Sequence, residues 1–158
     1  MCTGRLYSSI SQILQKYGLH GKVIACQGAI IADIDTGERL YTDGIDSALA
    51  AKAVRKLRED GHTVLLDYDD RLCFSSRTPY TDAYERLTGL QGYVREDLAG
   101  FIEEGHVVVQ KIMVMCETER IAGILKTYND YFGGKLLVNS GSKNLVEIVN
   151  PACLSLIH

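Results

Sequence analysis

The sequence predicts a mixed fold, in which a short α/β segment precedes a larger α+β domain. Residues 6–17 carry apolar side chains at helical spacing, and an apolar strand follows at residues 22–26. A helix followed by a strand is typical of a doubly wound α/β core. After Gly28 the pattern changes to strand hairpins around turn residues. We therefore expect a partial Rossmann-like core and then an open, mainly antiparallel sheet with helices on one face.

An internal repeat supports the second part of this prediction. A helix, a glycine and two strands joined by a turn occur around Gly61, and the same order occurs again around Gly133. The spacing is too long for a solenoid repeat. It indicates two related halves of one sheet.

Turn and capping residues set the boundaries of the elements. Asp33-Ile34-Asp35-Thr36-Gly37 is the turn of a predicted hairpin, and Pro79 suits the first position of a helix. Asp46 or Ser47 begins another helix, which is rich in alanine. In chain order the predicted elements are a hairpin at residues 29–41, a helix at 47–59, a hairpin at 63–74, a helix from 78 that ends at Gly89, a short helix or loop at 95–104, a strand at 107–115, a helix at 118–132 and a hairpin at 135–148.

The composition is that of an ordinary globular protein. Apolar residues make up 46% of the 158 residues and charged residues 23%, and the net charge is −3. The sequence shows no clustered basic face and no apolar run of about 20 residues, which argues against nucleic-acid binding and a membrane span. No charged and apolar leader opens the chain, and the five cysteines form no Cys-x-x-Cys motif. We expect buried, reduced thiols in a cytoplasmic protein.

The residues that point to a function lie near the start of the chain. Thr3-Gly4-Arg5 precedes a helix and a strand, and Gln27-Gly28-Ala29 follows that strand. A Thr hydroxyl can donate to a phosphoryl oxygen, a glycine lets the backbone approach closely, and the N-terminus of the following helix favours an anion. An ordinary helix cap is the alternative interpretation of Thr3.

In order and spacing, these residues resemble the second motif of the haloacid-dehalogenase-superfamily phosphatases of the Cof type. The run Leu145-Val146-Glu147-Ile148 is similar to the family's exit strand. The resemblance implies that Thr3 binds the phosphoryl group. It further implies a substrate site formed by Gly4, Arg5, Gln27 and Gly28, with Gln27 where the family usually has Asn.

The resemblance also implies a domain organisation and a cofactor. Residues 1–28 would be a remnant of the phosphatase core, residues 29–149 an α+β cap, and residues 150–158 a truncated return to the core. A complete enzyme would hydrolyse a small, sugar-phosphate-like metabolite through an aspartyl-phosphate and Mg²⁺. The family's Asp-x-Asp nucleophile motif comes before the Thr, and a Lys and a Gly-Asp-x-x-Asn-Asp segment come after the exit strand. This sequence shows none of the three at the corresponding positions.

We therefore expect a fragment that is inactive alone and binds no metal tightly. Its partner would be a small phosphorylated substrate in the complete enzyme, with no nucleic acid and no membrane. The strand at residues 22–26 would lack parallel neighbours, and such an exposed edge favours self-association. A stand-alone α+β module that binds a small ligand or a protein is the alternative function.

Other polar residues have simpler interpretations. Asp33 and Asp35 resemble the nucleophile pair, but they follow Thr3 and lie in a predicted hairpin turn. The cluster Asp67, Asp69 and Asp70 lacks the glycine and distal glutamate of a calcium loop, so we expect a solvated turn. The histidines at positions 20, 62, 106 and 158 show no metal-ligand spacing. Tyr80, Tyr84 and Tyr93 could line a rim of the cap, although helical spacing favours core packing for the first two.

Overall fold

The computed structural model describes residues 1–154, which form two sheets and six α-helices. The helices are α1 (Tyr7–Lys16), α2 (Ser47–Glu59), α3 (Pro79–Thr88), α4 (Leu98–Gly105), α5 (Thr118–Phe132) and α6 (Pro151–Leu154). The strands are β1 (Lys22–Ala25), β2 (Ile30–Asp33), β3 (Arg39–Thr42), β4 (Val64–Tyr68), β5 (Arg71–Phe74), β6 (Gly92–Val94), β7 (Val109–Met115), β8 (Leu137–Ser142) and β9 (Leu145–Val149). Of the segment predicted to return to the core, residues 155–158, which include His158, lie outside the described residues.

The larger sheet has the strand order β6-β5-β4-β7-β9-β8, and its strands are antiparallel except for the pair β5 and β6. The long strand β7 lies near the centre, between β4 and β9. The two halves of the internal repeat, α2-β4-β5 and α5-β8-β9, lie on either side of it. The predicted open, mainly antiparallel sheet is confirmed.

Alternation along the strands divides the large sheet into two apolar faces. Leu66, Ile112 and Ile148 point to one face and pack with buried residues of α2, α4 and α5. Their sequence neighbours Leu65 and Met113 belong to the opposite face. Three helices therefore cover one side of the sheet, and the other side is covered by the first part of the chain and by α3.

Helix α1, the smaller sheet and Tyr84 of α3 pack against that opposite face. Leu6, Ile10 and Leu14 are at most 5% exposed, and they belong to the same buried cluster as Leu65 and Phe74 of the large sheet. Burial of one such aliphatic side chain contributes about 1.5–3 kcal/mol. This packing holds the N-terminal segment against β4, β5 and β7.

The smaller sheet has the order β1-β2-β3, and β1 has a neighbour on each side. Thr3 N donates to Ile24 O (2.9 Å) and Ile24 N donates to Met1 O (2.8 Å), so residues 1–3 pair in parallel with β1. On its other side β1 pairs with β2 in antiparallel orientation. The parallel pair joined by α1 is the partial doubly wound unit that the sequence predicted. The expected exposed edge at residues 22–26 is wrong, and self-association stays a prediction.

Several local features differ from the predicted elements. Leu87, expected in the apolar stripe of α3, is 56% exposed, whereas Tyr84 is buried. The short strand β6 was not predicted, and it pairs in parallel with β5. Cys2 is exposed, although the other four cysteines are buried as expected and all five are free. Within residues 1–154, no helix combines the length and the apolar character that a membrane span requires.

Substitution of Asp46 tests the N-terminal cap of helix α2. Its Oδ1 accepts hydrogen bonds from the backbone N–H groups of Ala48 and Leu49, both at 3.1 Å. Asp46→Ala should lower the free energy of unfolding by about 1 kcal/mol, because two N–H groups of α2 lose their acceptor. Urea denaturation measures this change. Ser47→Ala is the matched control and should have a much smaller effect; equal losses would contradict the assignment.

The predicted division at residue 28 can be tested by hydrogen exchange. Residues 26–28 form a tight turn in which Gln27 and Gly28 have φ angles of 56° and 100°. The turn joins two paired strands, so the division between residues 1–28 and 29–149 stays a prediction. If it holds, backbone amides before residue 28 exchange faster than those of the large sheet. Uniformly slow exchange across both parts would contradict it.

Candidate functional site

The loop formed by Thr3, Gly4 and Arg5 is held by backbone hydrogen bonds to the turn after β1. Cys26 N donates to Arg5 O (2.9 Å), and Gln27 N donates to Thr3 O (3.2 Å). Thr3 Oγ1 accepts a bond from Arg5 N (3.2 Å), which leaves the Thr3 hydroxyl proton free to donate elsewhere. The structure thus brings together the residues predicted from the two separate motifs.

Thr3 is not the cap of the following helix. The N-cap residue of α1 is Leu6, which makes no side-chain capping bond. The N–H of Ser8 donates instead to both carboxylate oxygens of Asp70, each at 3.0 Å. The start of α1 therefore already holds an anion, and the expectation that it would receive a phosphoryl group is wrong. The ordinary-cap interpretation of Thr3 is wrong as well.

Gln27 connects the loop to the large sheet. Its backbone has a positive φ of 56°, and its Nε2 donates to Oε2 of Glu147 in β9. A Cβ on Gly4 would lie 3.3 Å from Cγ of Gln27, so the missing side chain of Gly4 gives this residue room. Gly28, the fifth predicted site residue, is buried directly behind it in the turn. The longer side chain of Gln27 therefore has a defined partner.

A buried charged cluster lies beneath this loop, and the sequence analysis did not identify it. Lys111 in β7 is 2% exposed, and its Nζ lies 3.3 Å from Oδ2 of Asp67 and 2.9 Å from Oε1 of Glu147. The same Nζ donates to the carbonyl oxygen of Gly4 at 3.0 Å. We call Lys111, Asp67 and Glu147 the lysine cluster.

The register of the sheet explains how the lysine cluster forms. Asp67 lies directly opposite Lys111 across the β4–β7 pair, and Glu147 lies opposite Met113, one diagonal step away. All three side chains point to the face that α1 covers. Each interrupts an apolar strand, and a charged residue inside an apolar run is the signal in the sequence that could have identified the cluster. The expectation that Asp67 lies in a solvated turn is wrong, because it is 0% exposed.

Burial changes the ionisation of the cluster. It raises the pKa of Asp67 to about 6, although the positive charge of Lys111 opposes this shift. Burial also acts against the charged form of Lys111, but the negative charge of Asp67 and its other acidic neighbours outweighs it, and the pKa of Lys111 is raised. Both Asp67 oxygens are buried without a well-directed hydrogen bond among the described residues. Asp67 is thus the least well compensated member of the cluster.

A small cavity of about 210 Å³ is lined by Gly4 and Arg5 of the loop and by Lys111 and Glu147 of the lysine cluster. Arg5, Gln27, Tyr84 and Thr88 contribute polar groups to its lining. Arg5 and Thr88 also line a neighbouring cavity of about 310 Å³ on the outer surface of α1 and α3. Arg5 therefore lies between the two cavities, where its guanidinium can reach an anion in either one.

The other acidic residues do not reach this site. Asp33 Oδ1 accepts bonds from the N–H groups of Asp35 (2.9 Å) and Thr36 (3.0 Å), which confirms the hairpin turn. Asp69 pairs with Arg39 in the β4–β5 turn. Within residues 1–154, no group of three or more His, Cys, Asp or Glu side chains could hold a metal ion. The carboxylates of Asp67 and Glu147 both pair with the ammonium group of Lys111. Because that positive charge lies between them, Mg²⁺ does not fit there.

Comparison with known proteins identifies relatives of the whole described fold. The family model described as haloacid dehalogenase-like hydrolase matches residues 1–153. No curated protein matches the chain. Among solved structures, TM0651 from Thermotoga maritima matches with a TM-score of 0.83 and 18% identity, covering 99% of this chain and 60% of that chain.

Two further solved structures have the same fold. A HAD/COF-like hydrolase from Plasmodium vivax matches with a TM-score of 0.77 and 15% identity, over 95% of this chain and 55% of that chain. BT1666 from Bacteroides thetaiotaomicron, described among phosphatases of the haloalkanoate enzyme superfamily, matches with a TM-score of 0.69 and 17% identity, over 99% of this chain and 56% of that chain. This chain thus spans about 60% of the first of these structures.

The pH dependence of stability tests the state of Asp67. Its pKa rises from 3.8 to about 6 on folding, so the folded state binds the proton more tightly than the unfolded state. The stabilisation is fully present below pH 3.8 and is lost as the pH rises through 6. The unfolding free energy of the native protein relative to Asp67→Asn should fall, by on the order of 3 kcal/mol, across this window.

Urea denaturation at constant ionic strength, from pH 4 to pH 7, measures this difference. Asp69→Asn is the matched control, because it removes a carboxylate that is exposed in the adjacent turn. A difference between native protein and Asp67→Asn that stays constant or rises with pH would contradict the prediction.

Proposed function

This chain belongs to the haloacid dehalogenase-like hydrolases, and from that membership we propose that it forms part of a Cof-type phosphatase for small phosphorylated metabolites. The Thr3-Gly4-Arg5 loop would bind the phosphoryl group, and the cavity beside it would receive the rest of the substrate. The observation that carries this proposal is the position of the loop. It brings the residues of both sequence motifs together, and three of them, Gly4, Arg5 and Gln27, line the adjoining cavity.

Two groups in the loop suit a phosphoryl group. The Thr3 hydroxyl retains its proton for donation, since the oxygen accepts its local bond from Arg5 N. The exposed guanidinium of Arg5 can donate two parallel hydrogen bonds to a phosphoryl group. Lys111 holds the Gly4 carbonyl in place, and this fixes the backbone between the two binding side chains.

The cavity supports a small polar substrate. A volume of about 210 Å³ is below the range of about 300–1,000 Å³ usual for small-molecule sites. Tyr84, Thr88 and Gln27 offer hydrogen-bonding groups within it. Hydroxyl groups of a sugar-phosphate-like molecule would match such a lining. Gly141 and Leu145 also line the cavity.

The catalytic carboxylates and Mg²⁺ are assigned to parts of the complete enzyme other than residues 1–154. Asp33 accepts hydrogen bonds from the backbone of its own turn, and Asp35 accepts one from Gly21 N. The carboxylates of the lysine cluster are paired with Lys111. We propose that this chain supplies phosphoryl binding and substrate selection, and that by itself it is inactive. The free thiols are consistent with a reducing cytoplasm.

A second candidate function is a binding module without turnover. The observation that favours it is the paired state of the buried carboxylates, since the described residues near the loop offer binding groups but no free nucleophile. Such a module would use the same loop and cavity to hold a small phosphorylated ligand.

A phosphate titration tests the binding role of Thr3. In a titration with inorganic phosphate followed by the backbone amide shifts of residues 3–6, Thr3→Ala should weaken binding about tenfold, the loss expected for one hydrogen bond to a charged group. Thr36→Ala, in the exposed β2–β3 turn, is the matched control and should bind like the native chain. Equal affinity in native protein and Thr3→Ala would sink the proposed site.

Turnover separates the two candidate functions. With Mg²⁺ and a generic aryl phosphate, this chain should show no activity, whereas a longer protein that carries the nucleophile and metal motifs should turn over and should lose activity on Thr3→Ala. A longer protein that binds phosphate but never turns over would favour the binding module. Turnover by the short chain within tenfold of the long one would contradict the assignment of catalysis to other segments.

A further inference from the structure

A second groove, whose surface is more apolar than polar, lies on the helical face of the large sheet, away from the Thr3 loop. It has a volume of about 360 Å³ and is lined by residues of α5 and of the segment between α2 and β4. The lining residues are Asp60, His62, Arg120, Gly123, Ile124, Thr127 and Tyr128. From these residues we infer that the groove binds a phosphate dianion, either free or as the terminal group of a small metabolite.

His62 provides the first donor. The residue is only 9% exposed, and its ring meets the ring of Tyr128 edge-on at 5.9 Å. Its backbone N–H and carbonyl are bound to Leu57 and Arg58, while the structure gives its ring nitrogens no hydrogen bond within residues 1–154. A nearly buried imidazole that lines a groove with its nitrogens unpaired is available to a ligand.

Arg120 provides the second donor and a positive charge. Among the described residues, its guanidinium forms an ion pair with Glu117, whose Oε2 lies 4.0 Å from Nη1, beyond hydrogen-bond distance. Glu117 itself accepts a bond from the hydroxyl of Tyr80 at 2.8 Å. The guanidinium therefore keeps its N–H groups for a ligand in the groove.

The one carboxylate in the groove is already neutralised. Asp60 accepts a hydrogen bond from Lys56 and another from the hydroxyl of Tyr128, both at 2.6 Å. Burial and the charge of Arg120 lower the pKa of His62, and the negative charge of Asp60 opposes this shift more weakly. Arg120 therefore supplies the positive charge among the lining residues, and a bound anion would interact favourably with it.

The shape of the groove admits a tetrahedral anion. Gly123 faces it from α5, and a Cβ built at this position would meet no atom within 4 Å, so the space is open. Thr127 lies one helical turn further along the same face and adds a hydroxyl donor. The imidazole, the guanidinium and the hydroxyl approach the groove from two different elements. Donors spread in this way suit the tetrahedral oxygens of a phosphate better than the two coplanar oxygens of a carboxylate.

Nuclear magnetic resonance of the histidine rings tests this inference with inorganic phosphate as the probe. At pH 6.5 and constant ionic strength, the ring signals of His62 should shift in a saturable way, and the pKa of His62 should rise because the anion favours the imidazolium form. Arg120→Gln should weaken the phosphate affinity about tenfold. Lys126→Gln, which removes the same charge from the same helix outside the groove, is the matched control.

Two more variants keep the test independent of folding and of the Thr3 site. Gly123→Leu should abolish the His62 response without lowering the melting temperature, since leucine favours a helix and fills the open space. Thr3→Ala should leave the response unchanged. Glycerol phosphate binding more tightly than inorganic phosphate would identify a phosphorylated metabolite as the ligand, and equal affinity would identify free phosphate. A non-saturable shift, or equal losses in Arg120→Gln and Lys126→Gln, would overturn the inference.

Discussion

The ammonium group of Lys111 joins the two layers of this protein. It lies on the central strand of the large sheet, pairs with Asp67 and Glu147 on the strands to either side, and reaches the Gly4 carbonyl of the opening loop. Isolated charges of this kind are costly to bury, but each is tolerated where opposite charge and hydrogen bonds surround it. Removal of one member would leave the others uncompensated, a situation that costs about 3–5 kcal/mol in buried pairs. The position of the loop is therefore linked to the folding of the sheet.

This arrangement explains why a short loop near the start of the chain can be well ordered. Its backbone is bonded to the turn at residues 26–27, and that turn is bonded through Gln27 to Glu147. The loop thus receives support from the smaller sheet on one side and from the lysine cluster beneath. A binding site gains affinity when its groups are held in place before the ligand arrives.

The two proposed sites lie on opposite faces of the large sheet and would use different groups to bind the same type of anion. On one face, the Thr3 loop presents a hydroxyl and a guanidinium beside a cavity of about 210 Å³. On the other face, the groove of about 360 Å³ presents an imidazole and a guanidinium between α5 and the α2–β4 segment. The sheet separates them, and their lining residues do not overlap. This separation makes the two proposals testable in a single chain.

Local sequence patterns determined most of the secondary structure of this protein. Ser47–Glu59 and Thr118–Phe132 were predicted with the boundaries that the structure shows, because caps, glycines and helical spacing are local signals. The grouping of Thr3, Gly4, Arg5 and Gln27 followed from a resemblance, and the structure brings these residues together. Only the tertiary structure decided that Asp67 is buried against Lys111, that Asp70 occupies the start of α1, and that β1 is paired on both sides. Each of these depends on strand register and on contacts between residues far apart in the chain, which no local pattern of side chains specifies.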